Sequence, residues 1–241
     1  MGQEEKRIVI VGAGGHGREV LGIFLDRGEG RLIAGFCDDR RDTHGTYVDD
    51  KPVLGDLQWL CDRADTYRAI IAIGNNARRR ELASRLEAAG VEFASAISPH
   101  AVISPFAIIG DGAMVCAKSV VNSGARIGRH AIVNVAATVS HDCRVGDYSH
   151  LACGVRLAGA ALVGVECDLG TGAVVNPQTT VGDRAVVGSG AVVVRNLPGD
   201  VVAVGVPARP IRKVGEPAAG KRAEEHAVGG SLAALAHPAA H

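Results

Sequence analysis

The sequence predicts a small parallel α/β unit followed by a parallel β-helix, and three observations carry that prediction. From Ile97 to Val193 an aliphatic residue recurs at every sixth position. Ahead of that run, from Arg7 to about Ala96, short apolar stretches alternate with segments of helical character. Aromatic side chains are scarce, with four Phe, three Tyr and one Trp in 241 residues of which 47% are hydrophobic. A core so poor in rings is built from small aliphatic side chains, as in a repetitive scaffold.

In the N-terminal half, Ile8 to Val11 reads as a buried strand, Arg18 to Arg27 as a helix and Leu32 to Cys37 as a second strand. Helices over Asp56 to Asp62 and Ala77 to Ala89 flank the strand Ala69 to Ile73. Strands alternating with helices imply a parallel sheet. Between the first strand and helix lies Gly12, Ala13, Gly14, Gly15, His16, Gly17. Glycines let the backbone approach a phosphate, and the following helix offers unpaired N–H groups and the positive end of its dipole. Asp38 and Asp39 close the second strand, where dinucleotide folds place an acidic residue on ribose hydroxyls, so NAD is one reading. The unit spans only about ninety residues, half of a dinucleotide-binding fold, and no second α/β domain follows, which favours a sugar nucleotide. A tight strand-to-helix turn without ligand is the plain alternative.

In the C-terminal half the aliphatic position of each hexad is followed four residues later by a small side chain, such as Ala101, Ala113, Ala125 or Cys143. Neither an amphipathic helix nor a strand gives a period of six. A parallel β-helix does: each hexad supplies one short strand and one corner of a triangular coil, the aliphatic residue pointing inward. Three hexads make a coil of eighteen residues, and no inserted loop breaks the run. The expected boundaries are residues 1–96 for the α/β unit, 97–213 for the β-helix and 214–241 for a disordered tail rich in Ala, Gly and Pro.

The 26 basic and 26 acidic residues cancel, which argues against a nucleic-acid or anionic-membrane partner. The N-terminal apolar run is too short and glycine-broken for a signal peptide and no stretch is long enough to span a membrane, so a cytoplasmic protein is expected. Six cysteines without a CxxC pair indicate reduced thiols.

Within the hexads, His141 and Asp142 form a candidate catalytic pair. Acyl transfer from a thioester to an amine or hydroxyl needs a base for the acceptor's proton; imidazole titrates near neutrality, and a neighbouring carboxylate would orient it. Eighteen residues on stands Gly159, whose missing side chain would leave a slot for the thioester arm of CoA. His150 has Asp168 one coil above it, a pairing that would fix its ring. Cys143 and Cys167 occupy the inward small position, whereas Cys153 points outward; a covalent acyl-enzyme on it is disfavoured because no histidine lies one coil away. His130, His141 and His150 fall at three different hexad positions, so they do not converge as metal ligands and no metal is expected.

The GAGGHG loop, the IGNN at Ile73 to Asn76, the uninterrupted hexads containing HDC and the closing GVPA (Gly205 to Ala208) together resemble the sugar O- and N-acetyltransferase family. That family includes sialic acid O-acetyltransferases and bacterial UDP-4-amino-sugar and GDP-perosamine N-acetyltransferases. The resemblance covers about residues 7 to 213. It implies a left-handed β-helix, a homotrimer, acetyl-CoA as cosubstrate bound between neighbouring subunits, and a nucleotide-linked sugar on the α/β unit. It further implies that Asp38, Asp39, Gly74 and Asn75 line the nucleotide-sugar site with the glycine loop, that His150 contacts acyl-CoA, and that Arg209, with Arg212 and Lys213, meets the CoA 3′-phosphate. The expected activity is N-acetylation of a nucleotide-linked amino sugar by direct transfer with His141 as base. O-acetylation of a sialic acid or other sugar hydroxyl is the alternative, and a non-catalytic trimer that senses a sugar nucleotide is a third reading.

Overall fold

The computed structural model describes residues 6–217; the expected tail beyond that point lies outside the described residues. The chain begins with β1 (Arg7–Val11), α1 (Gly15–Asp26), β2 (Ile33–Cys37), the hairpin β3 (Tyr47–Val48) and β4 (Lys51–Gly55), α2 (Leu57–Cys61), β5 (Tyr67–Ile71), α3 (Asn76–Ala88) and β6 (Glu92–Phe93). The sheet order is β3-β4-β2-β1-β5-β6. All pairs are parallel except the hairpin.

The elements read from the sequence are present with shifted ends. α1 begins three residues earlier than expected, so Gly15, His16 and Gly17 belong to its first turn. Gly17 permits this: a Cβ there would lie 2.0 Å from the Gly12 carbonyl oxygen. α2 is capped by Asp56, which accepts from the Trp59 N–H at 2.9 Å, and α3 by Asn75, which accepts from the Arg78 N–H at 2.8 Å. The β3–β4 hairpin is an addition to the elements read from the sequence. Its turn residues Asp49 and Asp50 both have positive φ, 43° and 63°, as a type I′ turn requires. The usual Asn-Gly or Asp-Gly signal is absent.

From Ala96–Ile97 to Val192–Val193, seventeen two-residue strands, β7 to β23, recur every six residues. Each pairs in parallel with the strand eighteen residues away, as Val121 does with Val139 and Val139 with Leu157. The strands form three faces: β7, β10, β13, β16, β19 and β22 on the first, β8 to β23 in threes on the second, and β9 to β21 in threes on the third. Inward aliphatics from Val115 onward and the small residues beside them are buried in one continuous core, while Ile97, Ile103 and Ile109 of the lowest coil are half-buried. Cys143 and Cys167 lie in this core, and burial pushes both thiols up, Cys167 to about 11.

The corners follow a rule that the inward pattern does not reveal. At every sixth residue from Gly112 to Gly190 the backbone has positive φ; five of these fourteen positions are Gly, and the other nine carry side chains, among them His130, Ala136, Asp142 and Tyr148. β24 (Val201–Val204) continues the first face above β22, and β25 (Arg209–Lys213) pairs with it antiparallel.

The α/β unit packs on the first face. Met114 and Ile132 point outward from the coil, yet both are fully buried against Val20, Leu21 and Phe24 of α1 and residues of β1. The opposite side of the sheet forms its own core with α2 and α3.

Candidate functional site

A cavity of about 490 Å³ opens at the C-terminal ends of β1, β2 and β5. Its wall includes Gly12, Gly14, Gly15, His16, Cys37, Asp38, Asp39, Arg40, Ile73, Gly74 and Arg78. This is where parallel α/β sheets take ligands. Gly12, at φ +108°, brings the chain against β5, where a Cβ would meet Ile73 Cδ1 at 2.7 Å. The exposed glycines at the start of α1 leave the first-turn N–H groups facing the cavity.

The two aspartates line the cavity but are already engaged. Asp38 accepts from the Ala13 N–H at 3.0 Å and from the Arg40 N–H and guanidinium at 3.0, 2.9 and 3.1 Å. Burial would raise its carboxyl, but these donors hold it at about 2. Asp39 accepts from Arg78 at 2.7 Å and from the Leu57 N–H at 3.3 Å. Asp38 therefore braces the glycine loop. Asn75, which the family resemblance places at the nucleotide-sugar site, does not line the cavity itself; its Oδ1 caps α3. Gly17 likewise serves the packing of α1 and stays out of the wall.

His16 faces the junction between the cavity and the first face. Its Nδ1 lies 3.3 Å from Glu19 Oε2, while its buried Nε2 has no protein partner. Burial lowers its pKa despite the Glu19 hydrogen bond. Its ring is 6.5 Å from that of His150 on β16 (His150–Leu151). Burial, then Arg79 and His16, bring His150 down to about 4, against a main-chain hydrogen bond at Gly74. Asn134 Nδ2 lies 3.3 Å from His150 Nε2. The expected His150–Asp168 pair is not formed: the two are neighbours in strand register, but no hydrogen bond joins them among the described residues. The ring nitrogen lies instead beside Asn134.

His141 stands elsewhere. It lies in the corner between β14 (Thr138–Val139) on the second face and β15 (Arg144–Val145) on the third, the one edge of the prism that does not border the first face. Its Nδ1 is 2.9 Å from Asp142 Oδ2, with side chains 68% and 69% exposed. Each member of the pair rests over a glycine. A Cβ on Gly159 would lie 2.6 Å from His141 Nε2, and one on Gly124 would lie 2.5 Å from Asp142 Oδ1. The space opened by Gly159 is thus taken by the imidazole itself. Within one chain the structure keeps His141 and Asp142 apart from the cavity that gathers the glycine loop, Asp38, Asp39 and Gly74. Arg209 is exposed at the start of β25 and joins neither group. Cys153 is exposed at the corner following β16. Among the described residues no group of three or more His, Cys, Asp or Glu is arranged to hold a metal, and no helix is long and apolar enough to cross a membrane.

Two residues that sequence reasoning does not single out organise this region. Asn76 and Arg79, both on α3, tie it to the β-helix: Asn76 Nδ2 donates to the carbonyls of Glu166 and Cys167, and Arg79 to those of His130 and Tyr148. Their only signal is a polar pattern continuing past IGNN.

Comparison with known proteins agrees with this layout. Residues 7–86 match the family model described as the PglD N-terminal domain. The UDP-N-acetylbacillosamine N-acetyltransferase of Bacillus subtilis (strain 168) is 36% identical over 115 residues, 46% of this chain; the matched part spans about half, 52%, of that relative. The crystal structure of PerB from Caulobacter crescentus in complex with CoA and GDP-perosamine superposes with a TM-score of 0.80 at 39% identity, over 85% of this chain and 97% of that one. The acetyltransferase domain of PglB from Neisseria gonorrhoeae FA1090 in complex with acetyl coenzyme A gives 0.79 at 35% identity, over 86% and 100% of the two chains.

Proposed function

The chain belongs to the sugar N-acetyltransferase family, and from that premise we propose that it transfers an acetyl group from acetyl-CoA to the amine of a nucleotide-linked amino sugar. The observation that carries the mechanism is the exposed His141–Asp142 pair. Asp142 accepts from Nδ1–H, so Nε2 presents its lone pair to the acceptor. The amine nitrogen attacks the thioester carbonyl carbon while Nε2 takes its proton. The tetrahedral intermediate then collapses with cleavage of the C–S bond, and the imidazolium returns the proton to the departing CoA sulfur. The products are the amide and free CoA.

The nucleotide would sit in the cavity beside the glycine loop, its diphosphate against Gly12, Gly14 and Gly15 at the start of α1. The position of His141 on the far edge of its own prism supports an assembly in which the base of one subunit serves the cavity of its neighbour. A homotrimer with acyl-CoA between subunits meets that need, with Arg209 and its basic neighbours offered to the 3′-phosphate. Use of acetyl-CoA accords with the cytoplasmic setting expected from the sequence.

A thiol-release assay with UDP-, GDP- and dTDP-linked amino sugars tests the reaction. His141→Ala is expected to lower kcat/KM by about 100-fold or more. Activity close to that of the unmodified protein in this variant would rule out His141 as the base.

A further inference from the structure

A guanidinium is sealed at the junction of the two halves of the chain. Arg79 is fully buried. Its Nε donates to the His130 carbonyl at 2.8 Å, Nη1 to the carbonyls of Ile73 at 2.7 Å and Gly74 at 3.0 Å, and Nη2 to Asn76 Oδ1 at 2.9 Å and the Tyr148 carbonyl at 2.6 Å. All five N–H directions of the fork are used, and none meets a carboxylate; Asp168 and Glu166 act on it only through space. Burying an unpaired cation is unfavourable, and burial brings Arg79 down to about 10. An arginine held this way needs its acceptors fixed, and it fixes them in return.

The acceptors divide into two sets. Ile73 and Gly74 form part of the cavity wall, whereas His130 and Tyr148 belong to corners of the coil. A single planar group therefore gauges the distance between the cavity wall and the solenoid. A lysine has three donors radiating from a point and cannot span both sets with this geometry.

We propose that Arg79 is a positioning residue for the nucleotide-linked substrate: it sets the Ile73–Gly74 wall at the place on the solenoid from which a bound sugar is presented for transfer. This rests on the cavity being the nucleotide-sugar site. Arg79 makes none of its hydrogen bonds to Arg209 or the basic segment offered to the CoA 3′-phosphate, so CoA binding is expected to change far less than diphosphate binding.

The test is calorimetric titration of full-length protein with UDP, GDP and dTDP, and separately with CoA, for the wild type and for Arg79→Lys, with thermal unfolding in parallel. For the diphosphate that the wild type binds, Arg79→Lys is expected to weaken affinity tenfold or more while CoA affinity stays within twofold. Should Arg79→Lys fail to fold, Asn76→Ala, which leaves the cation its four carbonyls but removes one acceptor and the two bonds from Asn76 to the Glu166 and Cys167 carbonyls, is expected to weaken the diphosphate three- to tenfold with CoA unchanged. Diphosphate affinity within twofold of the wild type in the folded variant, or a parallel loss of CoA binding, overturns the inference. Intact nucleotide binding without thiol release in the wild type would strike the proposed reaction alone, since the titration reads Arg79 without turnover.

Discussion

Gly159 shows how little space separates a usable base from a displaced one. Its φ is unstrained for an L residue, and the nearest atoms that an added methyl would meet all belong to the His141 ring, Nε2 at 2.6 Å. Gly159→Ala is expected to swing the imidazole off its carboxylate partner and lower kcat about tenfold or more, with Tm within a degree or two of the wild type. Steady-state kinetics and a melting curve on the same preparation check it. Counting in eighteens makes Gly159 visible in the sequence, but not which group fills the space it opens, because rotamers are not written in a period. Asn75 illustrates the opposite limit. In IGNN the resemblance points to Asn75 alone; only the start of α3 decides that Asn75 caps the helix and Asn76 reaches across to the coil.

At the scale of the element, the strands of the β-helix are legible because inward packing demands an aliphatic side chain at every sixth residue. The corners are not, because a left-handed backbone tolerates many residue types at a modest penalty. Nine of the fourteen corner positions carry side chains at positive φ. Ala136 is one, at φ +58° and exposed. An L residue costs roughly 1–2 kcal/mol there, while glycine loses roughly 0.5–1 kcal/mol of chain entropy on folding. Ala136→Gly is therefore expected to stabilise the protein by about 0.5–1 kcal/mol, reversing the usual sense of that substitution; the shift in denaturant midpoint at constant slope measures it. Asp142 occupies the same kind of corner, where its short polar side chain is better tolerated than most.

For the whole molecule, the face that receives the α/β unit is written in the outward positions. Ala96, Met114 and Ile132 follow one another up the first face and stay apolar through three coils, where the second face runs Val102, Val120, Thr138 and the third Ile108, Arg126, Arg144. That ladder is hard to see in the sequence because the inward residues dominate the pattern. Its consequence is that cavity and base lie on different sides of the prism, which gives the assembly a genetic test. His141→Ala and Gly14→Glu, the latter placing a carboxylate where a diphosphate would lie, should each be inactive alone. If, as proposed, each site draws its base and its cavity from different chains, mixed oligomers made by co-expression are expected to recover about one quarter of wild-type activity. If each chain served its own site, mixing would restore nothing.

The two ends of the solenoid are unlike. At the top every face is finished: β22 by β24, β21 by the bridge between Val181 and Leu197, and β23 by hydrogen bonds with Gly205 and Ala208. β25 then runs antiparallel to β24 on the first face and carries Pro210 in a strand with three basic residues. At the bottom β7, β8 and β9 end their sheets, and Val102, Phe106 and Ile108 are exposed beside them. Fibre growth by a β-helix needs a top that will accept a bottom. This one has a polarity with a stopped end, so sticking through its open coil terminates at a bottom-to-bottom pair instead of propagating as a filament.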